Sequence, residues 1–479
     1  MTNIRHSLSW SYGTKYLLVA VQFVSTVIIA RLVTPDDIGI YTVAAVFIGL
    51  GQLIREFGVN RYIIQEAELT SARIRAASTL NLLLGWGAGV LVFLAAVPVG
   101  EFYARTEVRE VMRLLSVNFV FVPLGAIIFA LLRREMRFRE IMLVRVGSAV
   151  VGAIVGVFTA WNGEGYRALV WSAIAGTLTT VALCHLYRPK GISLRPGVRE
   201  IGHVFRFCRY AGPETIVSHV GDTAPDWILG KVLDMQMVGL FSRAAGTIAL
   251  FSAVVQEGLG SVLLPYFSKS LREGRESRTA YIHAVGCLSG LAWPFFVILG
   301  LLAAPIVETL YGSQWRGAVP LLQLLCIGAI PFALTAIASD ALTGLGQIQA
   351  VFRITVLMTI LRVIIILLAA PYGLTAVAVA LLITPMVNIV LVDRQITRHI
   401  DVRLRDMARM VRLNALTSLI SAIPAIIGVH TYGWTLDYSL PRLLLILVAS
   451  ALLWLTAVYL VKPPLFQEID PIVRRQMRR

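Results

Sequence analysis

Apolar blocks of about 18–25 residues recur along this 479-residue chain, each long enough to cross a hydrocarbon core of ~30 Å. They run without alternation of apolar and polar positions, so they read as helices and not as barrel strands. Composition agrees, with 57% hydrophobic and 15% charged residues and a mean hydropathy of +0.77. A water-soluble domain of this size cannot hide so much apolar surface behind a polar exterior. The expected fold is an all-α membrane protein of about fourteen transmembrane helices. The predicted spans are 14–33, 38–57, 77–98, 111–132, 141–160, 166–187, 207–230, 236–260, 281–304, 318–340, 350–370, 373–392, 413–430 and 442–461.

A net charge of +16 would suit a nucleic-acid partner, but the basic residues sit in the short connections between apolar blocks. That distribution sets membrane orientation, so no nucleic acid is expected. One set of alternate connections carries Arg61, Arg73 and Arg75, then Arg133, Arg134, Arg137 and Arg139, then Arg188, Lys190, Arg195, Arg199 and Arg206. It continues through Lys269 to Arg278, Arg394 to Arg412, and a basic tail ending at Arg479. The other set, at 33–37, 161–165, 371–373 and 430–439, is nearly neutral. By the positive-inside rule both termini face the cytoplasm of a bacterial inner membrane, which requires an even number of spans. The polar, basic start MTNIRHSLSWSYGTKY leads straight into the first span, so no cleavable signal peptide is expected.

An enzyme is not expected. No connection has room for a soluble catalytic domain, and no GxxxxGK[ST] phosphate loop is present. Cys184, Cys208, Cys287 and Cys326 lie in or beside spans without a CxxC pair or a histidine at ligand spacing. They read as small apolar fillers, and no metal centre or cofactor is expected.

The chain also repeats itself. ARLVTPDDIGIYTVAA from Ala30 aligns with GKVLDMQMVGLFSRAA from Gly230, pairing Arg31 with Lys231, Gly39 with Gly239 and Tyr41 with Phe241. Further on, Tyr103 pairs with Tyr311, Pro123 with Pro331, Arg145 with Arg353 and Gly165 with Gly373. Six spans per repeat is an even number, so the halves share one orientation, related by an axis along the membrane normal. The expected organisation is a six-helix bundle at 1–190, its repeat at 200–395, and two additional helices with the basic tail at 396–479.

The pattern ARLVTPDDIGIYTVA, then REFGVNRYIIQ, then the Arg-rich RREMRFRE after span 4, resembles the polysaccharide transporter family. These are the O-antigen and exopolysaccharide flippases of the multidrug/oligosaccharidyl-lipid/polysaccharide exporter superfamily. The resemblance implies two six-helix bundles around a cavity and translocation of undecaprenyl-diphosphate-linked saccharide by alternating access. It also implies a lipid-linked oligosaccharide partner, with a polysaccharide polymerase and chain-length machinery as further partners. The alternative is a cation-coupled exporter of small molecules. Within the turn itself, Pro35 ends the first helix, Asp36 or Asp37 caps the second, and Gly39 allows close approach.

Ionisable groups inside spans are costly and face cavities or partners. The seventh span carries Glu214, Ser218, Asp222 and Asp226 at steps of four, with His219 and Thr223 beside them and Pro225 as a kink. The matching residues of the first span are Thr14, Leu18, Gln22 and Thr26, so acids occur in one half only. Glu214, His219, Asp222 and Asp226 are therefore candidates for H⁺ or Na⁺ coupling, the bland reading being the wall of a hydrated cavity. Arg243 and Arg362, whose repeat partners are Val43 and Ile154, suit a diphosphate headgroup; the alternative is pairing with Asp222, Asp226 or Asp340. Arg55 and Arg61 mark the inner end of the second span, as a gate or as interfacial anchors. The tryptophans, Trp161 and Trp315 among them, read as the interfacial belt.

Overall fold

A computed structural model of the chain describes residues 2–189, 196–208, 213–251, 277–433 and 439–466. Its described residues form helices and no strands. Twelve of these helical segments are long and apolar enough to cross a membrane. The described parts of the predicted seventh and eighth spans are helical as well but fall outside that set: the seventh is described from Pro213 onward with Glu214, Asp222 and Asp226 in it, and the eighth only as far as Phe251. The chain divides into two compact units, Met1–Ser242 and Arg243–Arg479.

The first unit is built from α1 (Thr2–Leu32), α2 (Pro35–Glu56), α3 (Val59–Gln65), α4 (Ser71–Tyr103), α5 (Thr106–Ser116), α6 (Asn118–Arg134), α7 (Phe138–Trp161) and α8 (Tyr166–Leu186). Then follow α9 (Ile201–Cys208), α10 (Pro213–Asp222), α11 (Ala224–Val232) and the start of α12 (Met235–Phe251). α7 lies along both α1 and α8, while α4 packs on α2, α5 and α6. Small residues permit this: Gly152 and Gly156 of α7 bring the helix against Ser172 of α8, as small-xxx-small contacts do in membranes.

The connection between α1 and α2 is tightly specified. Thr34, rather than Asp36 or Asp37, is the capping residue of α2. Its hydroxyl accepts from the Asp37 N–H at 3.2 Å, and the Asp37 carboxylate accepts from the Thr34 N–H at 3.0 Å, closing a capping box. A threonine can do this because its extended backbone leaves Oγ1 facing the first turn, while Pro35 fills a position whose N–H needs no partner. The other Asp37 oxygen accepts from Tyr166 N–H at 3.0 Å, tying the start of α8 to the same turn. Gly165 precedes α8 at φ +51°, and a Cβ there would meet Asp37 Oδ1 at 2.6 Å, so both backbone and space demand glycine. Glu110 of α5 completes the cluster, bonding Arg167 Nε at 2.7 Å and accepting from Tyr166 OH at 3.0 Å.

At the opposite end, the Arg-rich run after α6 serves α3. Arg134 donates to the carbonyls of Ile63 at 2.9 Å, Glu66 at 2.6 Å and Ala67 at 3.3 Å, satisfying oxygens that a helix end leaves without partners. Arg73 joins Glu66 at 3.1 Å to Glu200 at 2.8 Å. Val204 of α9 is fully buried in the apolar cluster of α3, α4 and α6, and Phe205 stacks on Phe57 at 6.1 Å. The segment leading out of the first six spans is thus bound to the bundle it leaves.

The second unit contains the rest of α12, α13 (Ser277–Leu301), α14 (Ala303–Tyr311), α15 (Val319–Phe332), α16 (Ala338–Gly344), α17 (Ile348–Ala369), α18 (Leu374–Ala380), α19 (Ile383–Ile400), α20 (Ala408–Tyr432) and α21 (Leu440–Val461). Two of its apolar segments are interrupted, over 333–337 between α15 and α16 and over 381–382 between α18 and α19. Asn388 Nδ2, six residues past the second break, donates to Thr335 Oγ1 in the first at 2.9 Å. The two helices beyond the predicted repeat, α20 and α21, are joined to α13 by side-chain donors: the buried amide Asn414 Nδ2 donates to Gly286 O at 3.0 Å and Ser289 Oγ at 2.8 Å, and the indole Trp454 Nε1 to Gly290 O at 3.2 Å. In lipid such bonds hold helices that have no hydrophobic drive to associate.

Candidate functional site

Three places gather the polar chemistry. The first is the crossing of α2 and α12. A Cβ at Gly39 would lie 1.7 Å from the Met235 carbonyl oxygen, and one at Gly239 would lie 1.9 Å from that of Pro35. Three residues further along, Thr42 Oγ1 donates to Ser242 Oγ at 3.4 Å. Backbone meets backbone here because neither helix carries a side chain at the contact.

The second is the irregular seventh span. α10 ends at Asp222 and α11 starts at Ala224, with Pro225 in its first turn; the helix is irregular at Thr223, yet Thr223 N–H still donates to the His219 carbonyl at 3.0 Å and Trp227 N–H to that of Thr223 at 3.3 Å. His219 is engaged by α2, its Nε2 donating to the Val46 carbonyl at 3.2 Å. Asp222 is exposed and accepts from Ser218 Oγ at 3.1 Å. Asp226 lies beyond Thr223, partly buried in the first turn of α11, with no ion pair among the described residues. The side chain of Glu214 lies outside the described residues. Between α2, α4 and this span lies an apolar cavity of about 380 Å³ lined by Phe47, Leu50, Pro98, Tyr103 and Trp227.

The third is Arg243 in the second unit. Its guanidinium carbon stands 5.0 Å from the Tyr311 ring centre and 4.9 Å from that of Trp315. Trp315 is fully buried, which removes it from the predicted interfacial belt; Trp161, 78% exposed, fits that belt. Tyr311 OH and Thr247 Oγ1 are 3.1 Å apart, fixing the ring. Arg243 forms no ion pair among the described residues, and its buried Nε has no hydrogen-bond partner there. Among the described residues it is a cation held by aromatic faces and not paired with a carboxylate.

The remaining candidates are scattered. Arg55 is 6% exposed and paired with Glu56 at 3.0 Å, and its Nε has no hydrogen-bond partner among the described residues. Arg61 is exposed on α3, and Arg362 is partly buried on α17. Cys184, Cys287 and Cys326 are buried cysteines outside any disulfide among the described residues; Cys208 lies in α9, its side chain outside the described residues. Sequence reading missed the aromatic cradle, since Tyr311 and Trp315 carry no signal until the fold brings them under Arg243.

A family model described as "Polysaccharide biosynthesis protein" matches residues 28–320. The lipopolysaccharide biosynthesis protein WzxC of Escherichia coli (strain K12) is 22% identical over 392 residues, covering 80% of this chain and 78% of that protein. The succinoglycan biosynthesis transport protein ExoT of Rhizobium meliloti (strain 1021) is 24% identical over 358 residues, covering 73% and 71%. Among solved structures, the lipid II flippase MurJ in an inward closed conformation shares the fold, with a TM-score of 0.71 at 12% identity over 99% of both chains.

Proposed function

Because the chain belongs to the polysaccharide biosynthesis protein family, we propose that it is a flippase for undecaprenyl-diphosphate-linked saccharide units, working by alternating access in the inner membrane with both termini cytoplasmic. It is a multi-pass membrane transporter and not an enzyme, in keeping with relatives named for lipopolysaccharide biosynthesis and succinoglycan transport. Its product would feed O-antigen, capsule or exopolysaccharide synthesis, where a polymerase and chain-length machinery act next.

Arg243 carries the reading. A guanidinium buried in an apolar helix, with no ion pair among the described residues, is a costly feature that an anionic guest offsets. A diphosphate matches its fork of donors, whereas a cationic drug would be repelled, which argues against the small-molecule exporter. The aromatic cradle holds the charge without neutralising it.

The two-repeat layout is supported by the α2–α12 crossing. Gly39 and Gly239, and Thr42 and Ser242, are each 200 positions apart, and each glycine abuts the residue four before the other. A contact that maps onto itself under the repeat suits two bundles that rock about one axis. Asp222 and Asp226 are the groups through which H⁺ or Na⁺ would bias that motion.

The experiment is flipping by the purified protein in vesicles, using the lipid-linked saccharide that accumulates in cells lacking it. Transfer by the wild-type protein and its loss in Arg243→Ala, with partial retention in Arg243→Lys, is the expected result. Wild-type vesicles that leave this lipid in its original leaflet sink the proposal.

A further inference from the structure

A cleft of about 380 Å³ opens between α1, α7 and α8, inside the first unit and away from Arg243 in sequence. Gln22, Ser25 and Thr26 reach it from α1, Ser148 from α7, and Ser172, Thr177 and Thr180 from α8. Gly152, Ala149, Ala153, Ala173 and Gly176 leave the room between them. All three helices are among those long and apolar enough to span a membrane. The cleft is polar without being charged, since among the described residues no Asp, Glu, Lys, Arg or His lines it.

The hydroxyls fall into two groups. Ser148, Ser172 and Thr180 donate to carbonyls of Arg145, Gly152 and Gly176 at 2.9, 2.8 and 2.9 Å, so their oxygens can only accept from a guest. Gln22, Ser25, Thr26 and Thr177 have no hydrogen bond among the described residues. Serine and threonine in apolar helices ordinarily satisfy themselves on the preceding turn. Three that do not, around one cleft with a glutamine amide, present both donors and acceptors to whatever enters.

We propose that this cleft is a subsite for the neutral, hydroxyl-bearing saccharide of the substrate, separate from the Arg243 headgroup site. Its chemistry fits: a sugar ring is a dense array of donors and acceptors with no net charge, and each of its hydroxyls serves in both roles. A phosphate would meet the acceptor-only oxygens of Ser148, Ser172 and Thr180 with no cation to offset them. The second half does not repeat the cleft. Positions 200 on from Gln22 and Thr26 are Asp222 and Asp226, and positions 208 on from Ser148, Ser172 and Thr177 are Val356, Ala380 and Pro385. The two halves have therefore divided their labour, a neutral polar cleft in one and ionisable groups in the other.

This inference rests on the flippase reading, and its test separates the two. Flipping is measured in vesicles with two probes: the lipid-linked saccharide isolated from cells lacking the protein, and undecaprenyl diphosphate bearing no sugar. Gln22→Leu and Thr177→Val are each expected to raise KM for the saccharide lipid about three- to tenfold, the loss of one neutral hydrogen bond. KM for the bare lipid stays unchanged. Thr177→Ser, which keeps the hydroxyl, retains the wild-type KM, and thermal melts of each variant verify folding. An unchanged KM for the saccharide lipid in both variants, or an equal rise for both lipids, overturns the subsite. Wild-type protein that moves neither lipid overturns the flippase reading itself.

Discussion

The α2–α12 crossing makes the sharpest quantitative demand. Alanine at position 39 would put a methyl 1.7 Å from the Met235 carbonyl oxygen and 2.6 Å from its carbon. Ordinary contact between such atoms is at about 3.5 Å, so the two backbones must separate by roughly 1.5–2 Å. Neither can give way locally, because each is the first turn of a helix, and the α2 turn is fixed by the Thr34–Asp37 box. Overpacking of this kind costs about 1–3 kcal/mol, which displaces the crossed arrangement by roughly 5- to 150-fold. The assay uses Thr42→Cys with Ser242→Cys, replacing hydroxyls that stand 3.4 Å apart. Mild oxidant should link the pair, and Gly39→Ala in the same background should slow linkage at least about fivefold. If the crossing must part during transport, oxidation also halts flipping and a reductant restores it. Linkage at the same rate with and without Gly39→Ala would refute the reasoning.

Other expectations follow from single contacts. Trp315→Leu removes one face of the Arg243 cradle and should weaken apparent substrate affinity about two- to thirtyfold in vesicle flipping, the range of one cation–π contact. Asp222→Asn and Asp226→Asn should abolish the response of flipping to an imposed proton or Na⁺ gradient; an undiminished response in the double variant removes helix-borne coupling. Asn414→Leu leaves the Ser289 hydroxyl and Gly286 carbonyl without their amide donor. It should lower stability by about 1–3 kcal/mol in a detergent melt. Asp37→Ala breaks the capping box and frees the Tyr166 N–H, costing about 1–2 kcal/mol by the same measurement.

The seventh span shows how far sequence reading reached. Its density of polar groups and Pro225 pointed to an irregular, functional helix, and the helix is irregular there. What the spacing did not reveal is that His219 is committed to a carbonyl of α2 and that Asp222 and Asp226 fall on opposite sides of the irregular turn. Similarly, the Arg-rich run after the fourth span marked the family. Its structural duty, Arg134 capping α3, depends on a helix some seventy residues earlier in the chain.

By itself the sequence determined that this is a helical membrane protein with basic connections, because hydrocarbon demands long apolar helices and the charge of short loops sets orientation. It also determined the Thr34–Gly39 turn, since caps, prolines and glycines act within a few residues. Only the tertiary structure decided which polar groups meet. Arg243 under Tyr311 and Trp315, Gly39 against Met235, and the hydroxyl cleft around Gln22 and Thr177 join residues from different helices. Such meetings depend on helix rotation and crossing. These are set by summed packing across each bundle, and no local pattern in the chain encodes them.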